Sequence, residues 1–461
     1  MRKLRYFLTF LVASLTLVSC ESFFDKQPEG PGQVIEEDAI KTVNDLQSLL
    51  LSVYDVNANT YGGQIQNLSE LLGDNNNTPV SQDDYTQVYN RGTDFFNGTI
   101  SNVFADAYRG IYRSNTLIVK VDEISGVSTE DYNRIKGDAF FQRALGHFYL
   151  VRLFAQPYGF TPDNSHLGIS IRTTPAQNPL PRNTVGEVYN QIVSDLIQAE
   201  TLLPESNGIY ANKDAAKALL AKVYLQMMNY TDAEAKASEV INSSNGYMLD
   251  NLNRFEHGSS SERIFTFVST PSNDDSRASG WANNYRTDVN VNPNPTLRPS
   301  DFLYGLAVAD TNDLRGVEWM DVFNPGASNE FFGAKKFNFD YPDAPILHLA
   351  EMLLIRAECL GRLDQNLTQA EMDINAIRNR AGLSDITLSS GSEAAAFAIA
   401  ERRIELCFEG ERVHVLKRMG VLGEIDEIRG APWDCPGMVL QFPNSEITFP
   451  SFVLNPEGGC N

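Results

Sequence analysis

The sequence predicts a mostly α-helical fold: tetratricopeptide-like helical pairs stacked as a scaffold, interrupted by less regular, loop-rich stretches. Three observations predict it. Residues 214–241, DAAKALLAKVYLQMMNYTDAEAKASEVI, place Ala216, Leu219, Leu220, Val223, Tyr224 and Met227 at the 3/4 spacing of one helix face. The same texture recurs at 346–383 and, more loosely, at 139–204. Between 251 and 345 the periodicity fades, and Asn, Asp, Ser, Pro and aromatic residues dominate.

The first pair is punctuated by Asn229-Tyr230-Thr231-Asp232, a turn with a capping residue. A second face follows through Ala233, Ala237, Val240 and Ile241. The pair resembles a tetratricopeptide repeat, with Leu220, Ala221, Tyr224 and Ala233 near that repeat's spacing. In 346–363 the stripe is Ile346, Leu349, Ala350, Leu353, Ala357 and Leu360, and its partner carries Ala370, Ile374 and Ile377 before a C-capping Gly382. In 139–155 Leu145, Gly146 and Tyr149 mark the face; the partner, 184–204, opens on Thr184 with Glu187 three residues on, a capping box. A Pro-rich insertion, 156–183, splits these two. Earlier helices are expected at 36–56 and 102–124, and the helical pairs occupy about 139–242 and 346–420. Such a set makes a discontinuous superhelical scaffold. The irregular stretches, about 61–100 and 251–345, are too long for idle connection and read as functional; RIFTFV (263–268) reads as a β-like run.

The N-terminus reads as an export signal. Arg2, Lys3 and Arg5 precede a mostly apolar run, 6–18, too short for the roughly 20 residues of a spanning helix. The run ends Leu17-Val18-Ser19-Cys20, which resembles the bacterial lipobox, so 1–19 is expected to be removed, Cys20 acylated and 20–35 to act as a tether to the 36–461 domain. The formal charge of −22 becomes −25 after that cleavage and argues against nucleic acid, which needs a basic footprint.

Cys359 and Cys407 sit in helical, apolar contexts and read as buried thiols. Cys435 and Cys460 lie in loop-like sequence; after export they are candidates for a disulfide, and the sequence leaves the pairing open. No Cys/His metal spacing is present, and no cofactor motif. None of the five His sits in H-E-x-x-H, and neither a G-x-S-x-G elbow nor a Walker loop occurs. Glu351 and Glu358 on one helix lie roughly 10 Å apart along its axis, beyond glycosidase spacing. Glu358 reads as an i,i+4 pair with Arg362, and Glu401, Arg402, Arg403, Glu405 and Glu409 as helix-surface or interhelix ion pairs. Asp74–Asn77 fails the EF-hand register, with Pro79 at the glycine position and Tyr85 at the closing glutamate. No catalytic role is expected.

The ordered blocks ALGHFYLVRLFAQPYG, YNQIVSDLIQAETLLP, AAKALLAKVYL, HLAEMLLIRAECLGRL, NAIRNRAGL and ERRIELCFEGERVHVLKRMG, with FPNSEITFPSFVLNP near the end, resemble the SusD/RagB family of outer-membrane nutrient-binding lipoproteins. Two details depart from it: Val415 stands where the family carries an acid, and the chain ends Gly458-Gly459-Cys460-Asn461. The resemblance implies a SusD-like fold, helical pairs packing a less regular, loop-rich ligand-binding face that takes in 61–100 and 251–345, and a lipid anchor in the outer membrane through acylated Cys20, exposed at the cell surface. It also implies an oligosaccharide ligand and a TonB-dependent, SusC-like barrel as partner. A helical-repeat adaptor, a peptide binder and, more weakly, a tethered glycosidase are the alternatives.

Sugars present a C–H face, which rings meet, and a hydroxyl rim, which amides and carboxylates meet. Tyr149 and Tyr224 fall on helix faces and are assigned to the core. Trp281, Asn283, Asn284 and Tyr285 in GWANNYR, Trp319 in GVEWMD, and Asp74, Asn75, Asn76, Tyr85 and Tyr89 in the earlier region are the ligand-contact candidates. The competing reading is that Trp281 or Trp319 plugs the loop layer onto the scaffold.

Overall fold

The computed structural model describes residues 40–460 apart from 177, 259, 289–293 and 448. The leader, Cys20 and the tether lie outside the described residues. Among the described residues no helix is long and apolar enough to cross a membrane.

The scaffold is a run of helices, each packed on the next: α1 (Val43–Tyr61), α4 (Gly98–Glu123), α5 (Thr129–Phe154), α6 (Val185–Leu202), α7 (Lys213–Gln226), α8 (Tyr230–Ile241), α12 (Leu349–Leu363) and α14 (Gly391–Glu405), with α13 (Leu367–Arg380) also against α12. Their starts are set by local chemistry. Thr184 and Glu187 form the expected capping box of α6, and Asn229 accepts from the Asp232 amide to open α8. The stop of α13 is a Schellman turn: Gly382, at φ +82°, donates to Asn379 O, and Leu383 donates to Arg378 O. Small residues set the approach of α12 and α14, since a Cβ on Gly361 would lie 2.6 Å from the Ala395 nitrogen.

α8 and α12 are direct neighbours although more than a hundred residues separate them in sequence. The excursion between them holds β1 (Arg263–Phe267), the short helices α9 (Ser279–Tyr285), α10 (Asp301–Ala307) and α11 (Leu314–Trp319), β2 (Met320–Phe323), β3 (Phe331–Ala334) and β4 (Ala344–His348). β1 pairs antiparallel with β4, and β2 with β3. Phe265 and Phe267 of β1 key this layer to the scaffold; Phe265 meets Phe141 of α5 edge-on at 4.8 Å.

Two expectations are corrected. The first helix spans 43–61, not 36–56. The stretch 61–100 is not irregular throughout: it holds α2 (Gln64–Leu72) and α3 (Asp83–Tyr89). α2 hides from periodicity because Gln66, Asn67, Ser69 and Glu70 are buried along with its apolar residues.

The C-terminal part adds α15 (Arg412–Val421), which packs on α2, a small hairpin of β5 (Glu427–Ile428) and β6 (Ala431–Pro432), and α16 (Asn444–Ile447). Cys435 and Cys460 are joined by a disulfide, and Cys359 and Cys407 are buried free thiols.

Candidate functional site

The two irregular regions meet. Leaving α2, the chain at 75–80 runs against 296–300: Asn77 N donates to Arg298 O (3.0 Å), Val80 N to Thr296 O (2.9 Å) and Ser300 N to Asn75 O (2.7 Å). Asn77 Nδ2 adds a bond to Asp301 Oδ1 at 3.1 Å.

Beneath this seam, most of the ligand-contact candidates serve as its anchors. Asp74 receives Arg412 Nε at 2.7 Å and Arg403 Nη2 at 3.1 Å. Burial would push its carboxyl up, and the Arg412 and Arg403 guanidinia outweigh that and hold it below the usual carboxylate range. Asn75 accepts from Arg403 Nε at 3.1 Å, and Asn76, buried, donates to the Tyr285 hydroxyl at 2.7 Å.

The expectation that Trp281, Tyr285, Trp319 and Tyr85 face a ligand is corrected. They are 1%, 0%, 2% and 5% exposed. The Trp281 indole donates to Phe408 O (2.8 Å) and stacks on Phe337; the Trp319 indole donates to Leu252 O (3.0 Å), with Lys336 Nζ 4.1 Å from its ring centre. A Trp whose N–H finds a main-chain acceptor is fully accommodated inside. These rings plug the loop layer onto the scaffold, the competing reading of the sequence. Asn284, half-buried, donates to Gly280 O at 2.8 Å; Tyr89 is half-buried under Arg429; Asn283 is exposed.

Other rings face outward. On α10 Phe302 is 61% exposed, with the Arg403 guanidinium 4.6 Å from its centre. Two residues on, Tyr304 stacks on Phe332 of β3 at 3.9 Å. Phe323 and Phe331 are opposite one another in the β2–β3 register and stack at 5.0 Å, and Arg298 lies 3.7 Å from the Phe331 centre. Tyr304, Phe323, Phe331, Phe332, Arg298 and Arg403 are half-buried, and Asp301 is exposed. Such a surface can stack on a C–H face, and its edge can hydrogen-bond hydroxyls. The sequence carried a signal for it in DFLYGL and EFFGAKKF, aromatic residues in tight company with charges, which indole-centred reasoning passed over.

The scaffold acids are committed elsewhere. Glu351 meets Lys222 (3.2 Å) and Arg402 (3.3 Å); Glu358 is bound by buried Arg418, with Arg362 a more distant i,i+4 neighbour at 3.7 Å. Arg254, fully buried, is shared by Glu262, Glu405 and Glu409. Among the described residues no cluster of His, Cys, Asp and Glu could hold a metal ion.

Comparison with known proteins gives a consistent set. A SusD-like family model described as starch-binding and associating with the outer membrane matches residues 23–225, and the SusD family model matches 327–434. SusD-like protein P2 of Formosa agariphila is 25% identical, over 91% of this chain and 92% of its own. A SusD superfamily protein of Bacteroides thetaiotaomicron superposes with a TM-score of 0.79 at 25% identity, over 90% of this chain and 100% of its own. A laminarin-binding SusD-like protein superposes with a TM-score of 0.72 at 22% identity, over 90% of this chain and 99% of its own.

Proposed function

From the premise that this chain belongs to the SusD/RagB family, we propose that it is a lipid-anchored protein of the outer-membrane surface. It captures an oligosaccharide on the face built by α10 and the β2–β3 hairpin and passes it to a TonB-dependent barrel. The observation that carries the reading is Phe302, 61% exposed beside Arg403 at the seam of the two irregular regions, where Asn77 bonds the exposed Asp301. Exposed rings in company with amides and carboxylates match the two chemical faces of a sugar. Asn283, exposed on neighbouring α9, belongs to the rim of this reading. The family description, starch-binding and outer-membrane associated, supports the ligand class and the location.

Affinity electrophoresis through gels containing starch, laminarin, xylan or mannan tests it. Retardation by at least one polysaccharide, lost in Phe302→Ala, is the expected result; free migration in all four counts against a glycan ligand. The anchor is tested by palmitate labelling, which Cys20→Ala should abolish. The partner is tested by affinity purification from gently solubilised outer membrane, which should recover a large barrel with the lipoprotein.

A further inference from the structure

Away from the outward rings, a cleft of about 330 Å³ opens between α4, the 156–183 insertion and α16. Phe104, Tyr108 and Tyr112 line it from α4, Ser170 and Arg172 from the insertion, and Glu446 from α16. It shares no residue with the proposed platform.

Its walls are held in place before any ligand arrives. The Tyr108 hydroxyl donates to Ser170 O at 2.8 Å, tying α4 to the insertion, and Phe104 packs against Tyr108 at 4.8 Å. The Arg172 main-chain amide donates to His147 Nε2 (3.3 Å), and its guanidinium donates to Asn178 O (2.9 Å) while lying 5.7 Å from the Tyr108 centre. Burial pushes the Glu446 carboxyl up, and Arg172 partly opposes it. Arg109 stands at the rim, paired with Asp106.

The chemistry narrows the occupant. The volume is at the lower end of the roughly 300–1,000 Å³ of small-molecule pockets, which suits a short ligand. Aromatic walls call for an apolar face. A purely apolar ligand would strip water from Arg172 and Glu446 and offer them nothing in return. An anion would meet Glu446, and a cation would meet Arg172 and Arg109. A molecule with a C–H face and a rim of uncharged groups that both donate and accept satisfies every wall.

We propose that this cleft is a second saccharide subsite, taking one or two neutral sugar units, with Tyr112 against the ring face and Glu446 and Arg172 on the hydroxyls. The inference rests on the glycan-binding reading of the chain and adds to it a site for short saccharides or chain ends.

The test is saturation-transfer NMR of the full mature chain with maltose, cellobiose, laminaribiose and mannobiose, run beside the polysaccharide gels. At least one disaccharide should give transfer to wild type and to Phe302→Ala, with binding about tenfold weaker in Tyr112→Ala and in Glu446→Gln, the loss of one ring contact or one charged hydrogen bond. Transfer that persists undiminished in both cleft variants overturns the subsite. So does wild type silent toward all four disaccharides; polysaccharide retardation in that case leaves the outward platform standing. Disaccharide transfer without any polysaccharide retardation has the reverse meaning: the cleft holds and the platform falls.

Discussion

The excursion 242–348 uses the same residue types in two opposite ways. Its inner rings, Trp281, Tyr285 and Trp319, are turned in, each polar tip matched to a partner: Phe408 O, Asn76 and Leu252 O. Its outer rings, Phe302, Tyr304 and Phe331, are stacked in pairs or capped by guanidinia and left toward solvent. The contrast teaches that irregular sequence does not mean exposed sequence. A long loop layer needs its own core before it can present a surface, and the largest rings are drawn into that core because they bury the most area.

The largest test of the contrast is Trp281→Ala. Removing a ring that is fully enclosed should cost about 3–5 kcal/mol of stability, read by urea unfolding, while the folded fraction keeps its polysaccharide affinity. If instead affinity falls and stability holds, the inner and outer assignments are exchanged. Next is the C-terminal staple. Cys435→Ser with Cys460→Ser opens a loop of sequence separation 25 and should cost about 2–4 kcal/mol, with far-ultraviolet circular dichroism unchanged at low temperature.

Phe302→Ala is the mirror of Trp281→Ala: about 1–2 kcal/mol of glycan affinity by calorimetry, and stability within about 0.5 kcal/mol of wild type. A destabilised Phe302→Ala that still binds would show that this ring holds the fold rather than the ligand.

A different kind of effect is a pH slope peculiar to the interior. Among the described residues the buried Lys417 amine has no partner, and burial, reinforced by Arg91, lowers it from the ordinary 10.5 to about 7. Its folded value lies below its unfolded one, so between about pH 7 and 10.5 the unfolded chain holds the extra proton and stability rises with pH. The slope from this group is at most about 1.4 kcal/mol per pH unit. Lys417→Met should remove that contribution, and Phe302→Ala should not; identical pH profiles for wild type and Lys417→Met would show that the amine keeps its charge inside.

The scaffold was legible in the sequence because its helices carry apolar residues at the 3/4 spacing and most of them open on a capping Thr, Asn or Ser. The Gly382 stop and the Thr184 capping box lie where spacing put them, and so does the stripe from Leu349 to Leu360, whereas Ile346, expected on that stripe, belongs to β4. α2 was hidden because its buried face is half amide and carboxylate. The two irregular regions were legible as irregular, and which of their side chains turn inward was not. Asn76 and Tyr285 are 209 positions apart, and nothing local to either indicates that each satisfies the other out of reach of water. A Trp in a loop can equally be anchor or platform; only the main-chain carbonyl waiting for its N–H decides.

The adjacency of α8 and α12 has a consequence for how such a molecule can change. The chain leaves the superhelix and returns to it at neighbouring points, so the stack is indifferent to what happens between. Loop closure grows only logarithmically, about 0.6 kcal/mol for each doubling of length. Insertions, deletions or wholesale exchange of the excursion's outer parts therefore leave the helical joint almost untouched, provided the inner rings keep their sockets. Recognition can diversify as fast as the excursion drifts, while the helices that carry it remain the same object from one descendant to the next.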